Sequence, residues 1–140
     1  FGRPDMLILK MLNRVRNNKY IDIFNYGKHL RDFTYIDDVV EIIYKLSLRK
    51  KVGIEIFNIC ASNPVEIKEI LKIVQKIIKK NIKINFKRKR KGEMNITYGS
   101  NSKLRNFLKY KKFVKIESGL RKTIKWYNSF SKKNILNLYK

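Results

Sequence analysis

Residues 63–86, NPVEIKEILKIVQKIIKKNIKINF, change their hydrophobic period partway along. Ile67, Ile70, Leu71, Val74, Ile77 and Ile78 recur at three- and four-residue steps, which makes one apolar stripe on a helix, while Lys68, Lys72, Lys76 and Lys79 fall on the water-facing side. From Ile82 to Phe86 the apolar residues alternate instead, the period of a strand. A helix delivered directly into an alternating strand commits the chain to an α/β architecture, because the stripe must be buried and the strand needs neighbours. The helix start reads as Asn63 for the cap, Pro64 at the first helical position and Glu66 as capping-box partner.

The same periods organise the rest of the chain. Leu7, Met11 and Val15, with Ile8 and Leu12 beside them, predict a helix over 4–18 with Pro4 in its first turn. YIDIF predicts a strand over 21–24, closed by a turn at Gly27. Asp37 is placed to cap a helix from Asp38 to Leu48 with Val39, Ile42, Ile43 and Leu46 on one side. A second strand is expected at 54–59, IEIFNI, and two late helices at 101–108 and 117–130, the latter carrying Leu120, Ile124, Trp126 and Tyr127. Residues 131–140 read as a basic tail. Two or three strands do not complete a parallel sheet, which needs more neighbours and helices on both faces. The chain also begins at Phe1 rather than Met, so it is expected to be a fragment of something longer or a processed product.

Composition excludes disorder more firmly than it assigns a partner. A 140-residue chain that is 44% hydrophobic has the material for one core. Its 34 Lys and Arg against 11 Asp and Glu give a net charge of +23, which ordinarily points to nucleic acid or an anionic membrane. Here the cations are spread along the whole chain. Lys (25), Ile (20) and Asn (14) make up 59 of the 140 residues while Ala occurs once, the bias of adenine- and thymine-rich codons, and that weakens the charge as a functional sign. There is no apolar run of membrane-spanning length and no signal peptide, and Cys60 is the single cysteine. The expectation is a cytoplasmic protein without an internal disulfide, metal site or membrane partner.

Standard catalytic signatures are missing: no GxxGxxG or GxxxxGK[ST] loop, no HExxH, no GxSxG and no CxxC. His29 reads as a solvated turn residue and Cys60 as inert packing behind a strand. Arginines in unusual settings are what remains. Arg3 is held between Gly2 and Pro4, Arg31 precedes Asp32, which is placed to hold it, and Arg88 and Arg90 lie in KRKRKGE ahead of Gly92 and Glu93. Planar guanidinium forks bind phosphate and carboxylate oxygens in pairs, so three separated arginines suit a diphosphate plus a second anion. Plain surface charge is the competing reading of each.

GRPDM, IDIFNYGKHLRDFTYIDDVVEIIYKL, IFNICASNPVEI, RKGEMNITYGSNSKL and a helix ending KWYNSF occur in an order that resembles the C-terminal part of NAD-dependent epimerase/dehydratases, the extended short-chain dehydrogenase/reductases. RDFTYIDD is shared widely in that family, and GRPDM points toward its UDP-glucuronate 4-epimerases. The resemblance covers about residues 1–130. It implies the substrate-binding subdomain plus the last strand and helix elements of a Rossmann-type NAD-binding fold, with residues 31–60 returning to that core. It also implies that Ile23 and Phe24 lie against the uracil, that Arg31 and Arg90 bind the diphosphate, and that Arg3 meets the sugar carboxylate. Glu93 stands where the family usually has an Asp touching the ribose hydroxyls. The family's NAD loop and its Tyr-x-x-x-Lys catalytic pair are not in this sequence, so no catalytic residue is assigned here and none that binds NAD. The complete enzyme would pass hydride from sugar C4 to NAD and return it to the other face. UDP-glucuronate decarboxylase and dTDP-sugar 4,6-dehydratase are the alternatives inside the family, and a small basic nucleic-acid-binding protein is the alternative outside it. A homodimer would be a property of the complete enzyme.

Overall fold

A computed structural model of the chain describes residues 5–50, 53–110 and 112–130. In order these form α1 (Leu7–Arg16), β1 (Ile21–Ile23), a 3-10 turn (Phe24–Gly27), β2 (Leu30–Asp32), α2 (Ile36–Ser47), β3 (Pro64–Glu66) and α3 (Ile67–Ile78). They are followed by β4 (Ile84–Phe86), β5 (Ile96–Thr97), α4 (Ser102–Leu108) and α5 (Ile116–Asn128). The α/β class is as expected. All five strands are two or three residues long, and they form two small sheets. In one, β1 runs parallel to β4 with Ile21 opposite Ile84. In the other, β2 is central, antiparallel to β3 and parallel to β5, with Arg31 opposite both Val65 and Thr97.

The α3 stripe performs as its period requires. Ile67, Ile70, Leu71 and Val74 are buried, and they meet Leu9, Met11 and Leu12 of α1 and Leu120, Ile124 and Tyr127 of α5 over Ile21 and Ile23 of β1. Burying a side chain of this size removes about 1.5–3 kcal/mol worth of apolar surface from water. A second cluster gathers Ile42 of α2 with Leu104, Leu108 and Tyr110, and Phe57, Ile59, Phe107 and Phe113 pack on it. Gly119 in α5 lets the Tyr35 ring approach, since a Cβ there would lie 3.1 Å from the ring edge.

Several expectations are corrected. Residues 54–59 join no strand ladder, and Ile54 and Ile56 are 96% and 78% exposed. The alternation there is real, but among the described residues no neighbouring strand lies beside it. Asn63, Pro64 and Glu66 do not form a capping box: Pro64–Glu66 is β3, drawn out against β2, and α3 starts at Ile67. α2 begins one residue before Asp37, with Tyr35 at the cap position, so Asp37 is inside its first turn. Ile43 is more than half exposed, turned about 100° around the helix from buried Ile42. β2 and β5 were not expected at all. The predicted tail, residues 131–140, lies outside the described residues, as does Pro4.

Asp38 ties α2 to the C-terminal helices. It is 4% exposed, accepts the Tyr110 hydroxyl at 2.9 Å on Oδ1 and the Val114 backbone N–H at 2.9 Å on Oδ2. Burial and these carboxylates, with Glu41 at 3.2 Å, push the Tyr110 phenol well above its ordinary pKa, so it remains a donor. Asp37 by contrast is exposed and pairs with Lys122 at 3.2 Å. Asp38→Ala is expected to lower the unfolding free energy of the full chain by about 2–4 kcal/mol, since two buried donors lose their acceptor. Asp37→Ala should change it by less than about 0.5 kcal/mol, and urea unfolding of both variants measures the contrast.

Candidate nucleotide-sugar site

Arg31, Arg90, Phe24 and Glu93 are brought together by the turn after β1 and the segment running from β4 to β5. Asn25, Tyr26 and Gly27 take φ of +50°, +52° and +78°, three successive left-handed residues that reverse the chain between β1 and β2. The conformation costs about 1–2 kcal/mol at each of the two non-glycine positions. At Gly27 a side chain would be strained by the positive φ and also crowded, because its Cβ would sit 3.2 Å from that of Lys68 at the start of α3. Backbone hydrogen bonds hold the returning segment alongside: Lys87 N–H donates to Ile23 O at 2.9 Å, Tyr26 N–H to Lys87 O at 3.2 Å and Leu30 N–H to Asn95 O at 2.9 Å.

On this frame the Arg90 guanidinium lies over the Phe24 ring, its central carbon 3.6 Å from the ring centroid. One face of Phe24 is thus covered by a cation, a contact of about 0.5–2 kcal/mol. Arg90 N–H donates to Glu93 Oε2 at 3.4 Å, closing the Lys91-Gly92 turn, and the same oxygen lies 4.0 Å from His29 Nε2. Arg31 reaches across to this segment. It donates to Met94 O at 3.0 Å and Asn95 O at 3.3 Å, as well as to Leu30 O at 2.8 Å. Phe24, Arg90, Glu93 and Arg31 therefore share one edge, tied together through the 87–95 segment. Ile23 contributes backbone there, its side chain being buried in the core at the foot of the turn. Arg3 lies outside the described residues.

Two sequence readings of this region are overturned. Asp32 does not hold Arg31: its two oxygens accept the backbone N–H groups of Ser62 and Asn63 at 3.0 and 3.2 Å, fastening β2 to the chain entering β3. Arg31 in turn is steadied by carbonyl oxygens. His29 is not solvated but 4% exposed, and its Nε2 has no hydrogen-bond partner. No local pattern signals this, since His29 lies just ahead of β2, a strand too short to recognise from its own residues. Cys60 is half-buried, 2.9 Å from the position a Gly99 Cβ would take, so packing is the role its surroundings describe. Among the described residues no cluster of His, Cys, Asp and Glu could hold a metal ion, and no helix is long and apolar enough to cross a membrane.

Burial holds the His29 pKa below its ordinary 6.5; Glu93 opposes this, and Arg31 and Lys89 reinforce it. Above pH 6.5 the imidazole is neutral in both folded and unfolded chains. As pH falls below 6.5 the unfolded chain takes up a proton that the folded chain refuses, so stability declines until the lowered folded value is reached. We expect the thermal midpoint to drop between pH 7 and pH 5.5, with a slope of at most about 1.4 kcal/mol per pH unit from this group. Thermal melts of His29→Gln over the same range should be flatter.

Comparison with known proteins gives this edge a context. Residues 1–60 match the NAD dependent epimerase/dehydratase family. UDP-glucuronate 4-epimerase of Thermodesulfobacterium geofontis is 35% identical over 135 residues, 96% of this chain and 40% of the relative. The crystal structure of UDP-glucuronic acid 4-epimerase from Bacillus cereus in complex with UDP-glucuronic acid and NAD superposes with a TM-score of 0.81 at 30% identity, over 91% of this chain and 41% of that one. MoeE5 in complex with UDP-glucuronic acid and NAD shares the fold, with a TM-score of 0.84 at 22% identity, 91% of this chain and 43% of that one being covered. The chain thus spans about two-fifths of the proteins it matches, and it is similar over nearly all its length to members of the NAD-dependent epimerase/dehydratase family, whose model matches its residues 1–60.

Proposed function

We propose that this chain is the substrate-gripping part of a nucleotide-sugar 4-epimerase and that it binds UDP-glucuronate along the edge formed by Phe24, Arg31, Arg90 and Glu93. The observation that carries the reading is the Arg90 guanidinium laid on Phe24 beside a loop that Arg31 fastens from the opposite side. Two guanidinium groups anchored from different elements suit a diphosphate, whose oxygens accept paired N–H donors. Phe24 supplies an aromatic surface for the uracil and Glu93 an acceptor for ribose hydroxyls. Similarity to enzymes whose structures contain UDP-glucuronic acid supports the choice of ligand.

NAD belongs to the same complexes, but this chain does not fit it. Its six glycines, at 2, 27, 53, 92, 99 and 119, nowhere form a dinucleotide loop, and no Tyr is followed four residues later by Lys. The reading therefore assigns the chain positioning and leaves redox chemistry to residues it does not contain. Such an enzyme would turn UDP-glucuronate into UDP-galacturonate in the cytoplasm.

Calorimetric titration of the 140-residue chain with UDP-glucuronate tests this. Arg90→Ala is expected to weaken binding about tenfold or more, while lowering the unfolding free energy only by the lost contact with Phe24, about 0.5–2 kcal/mol. Arg3→Ala should narrow the preference for UDP-glucuronate over UDP-glucose toward one, if Arg3 meets the carboxylate. Binding of a single-stranded oligonucleotide in place of the sugar nucleotide would overturn the reading in favour of nucleic acid.

A further inference from the structure

His29 is the one histidine of the sequence, and it lies at the edge already described, 4% exposed and just ahead of β2. Its carbonyl oxygen accepts the Ile67 N–H at 3.0 Å, which pins it to the start of α3. Its Nε2 has no hydrogen-bond partner, whereas buried ring nitrogens are ordinarily satisfied. Across from that nitrogen is Glu93 Oε2 at 4.0 Å, about 1 Å beyond hydrogen-bond reach. Glu93 is partly exposed and follows Gly92, where a Cβ would meet nothing within 4 Å, so the turn has room to carry the carboxylate toward the ring. The bond that Glu93 Oε2 accepts from the Arg90 N–H is long, at 3.4 Å, and holds it loosely. Burial is the strongest influence on the imidazole and favours its neutral form; Glu93 opposes burial, and Arg31 of β2 and Lys89 of the 87–95 segment reinforce it. β3 and α3 add Glu66, one residue before Ile67 and paired with Leu30, and Lys68, beside Gly27, both exposed and screened by water.

We propose that His29 is a positioning residue of this edge: when a nucleoside diphosphate sugar binds, its Nε2 takes up a proton and donates to Glu93, fixing that carboxylate for the ribose hydroxyls. The proposal rests on the ligand reading above. A diphosphate at Arg31 and Arg90 sets negative charge against a cation that keeps His29 neutral, and the field of Glu93 is then left to act on the ring. The imidazolium closes the 4.0 Å gap with a charge-assisted bond, shorter and stronger than a neutral one. The proton comes from solvent, and Glu93 stays ionised as the acceptor. A glutamate has one torsion more than an aspartate, and the bond to His29 removes that freedom in the complex. Two consequences follow for the ligand. Ribose is distinguished from 2′-deoxyribose, and binding tightens as pH falls, because the complex holds one proton more than the free chain.

A single histidine makes the test direct, since one imidazole contributes to the proton NMR spectrum of the untagged 140-residue chain. Its titration midpoint is expected to rise on saturation with UDP-glucuronate, whose diphosphate and carboxyl groups are ionised throughout the range read. An unmoved or lowered midpoint overturns the proposal. Calorimetric titration should give an affinity about three- to tenfold higher near pH 6 than near pH 8. That slope should vanish in His29→Gln, which keeps an N–H donor but cannot titrate, and in Glu93→Gln, which removes the charge opposite from a partly exposed turn. Preference for UDP-glucuronate over its 2′-deoxyribose counterpart should be about tenfold, fall toward one in His29→Leu and return in His29→Gln. A loss in His29→Leu that is equal for both ligands leaves His29 a packing role and overturns the proposal. UDP-glucuronate bound with an affinity that ignores pH overturns this proposal alone, whereas no binding at any pH overturns the ligand reading and this proposal with it.

Discussion

The buried carboxylate of Asp38, bonded to the Tyr110 hydroxyl and the Val114 N–H, fastens α2 to the loop after α4 at the edge of the Ile42 cluster. It sits in the first turn of α2, where the positive end of the helix dipole favours an anion, and it reaches the loop between α4 and α5. Six residues earlier Asp32 does the same for β2, taking the N–H groups of Ser62 and Asn63 just before β3. Charged acceptors buried against backbone donors make stronger hydrogen bonds than neutral ones and are costly to leave unmade. With strands of two and three residues, the sheets alone offer few ladder bonds, so these latches fix where β2 lies, and β2 carries Arg31.

The edge proposed for the ligand follows from that placement. β2 faces β5 in parallel, which brings residues 94–95 under the Arg31 guanidinium, and the bonds from Ile23 and Tyr26 to Lys87 bring Arg90 over Phe24. The strained left-handed turn at Asn25 and Tyr26 is the conformational cost of presenting Phe24 outward while Ile23 stays in the core. Positive charge is high everywhere on this chain, and the guanidinium groups at this edge stand out because each is held in a defined place. Part of the apolar surface that the packing leaves open lies on α2 and at Ile54 and Ile56.

Much of the fold was legible from residue spacing. α1, α3, α4 and α5 all lie within a few residues of the positions their apolar periods predict, because each has one stripe and one core to bury it in. β2, β3 and β5 were not legible, since LRD, PVE and IT carry none of the apolar alternation that marks the segments of β1 and β4, and their pairing joins positions more than thirty residues apart. Pro64 was misread for the same reason: a proline after an asparagine suits a helix start, but pairing with Asp32 pulled the residue into an edge strand, where a missing N–H is tolerated. IEIFNI was read correctly as an alternating apolar segment and wrongly as a formed strand, because a strand needs a neighbour as well as a pattern. At the site, Arg31 and Arg90 were singled out by local context, while the burial of His29 and the true partners of Asp32 were invisible.

The sequence by itself determined the α/β class, the helices, the absence of a dinucleotide loop and the family resemblance, since these depend on residue types at short spacing and on motif order. Tertiary structure decided which aspartate is buried, which carbonyl oxygens hold Arg31, that Arg90 rests on Phe24, and which side of α2 stays open. Those outcomes are contacts between residues tens of positions apart, and their energies depend on burial and distance, neither of which a local pattern contains.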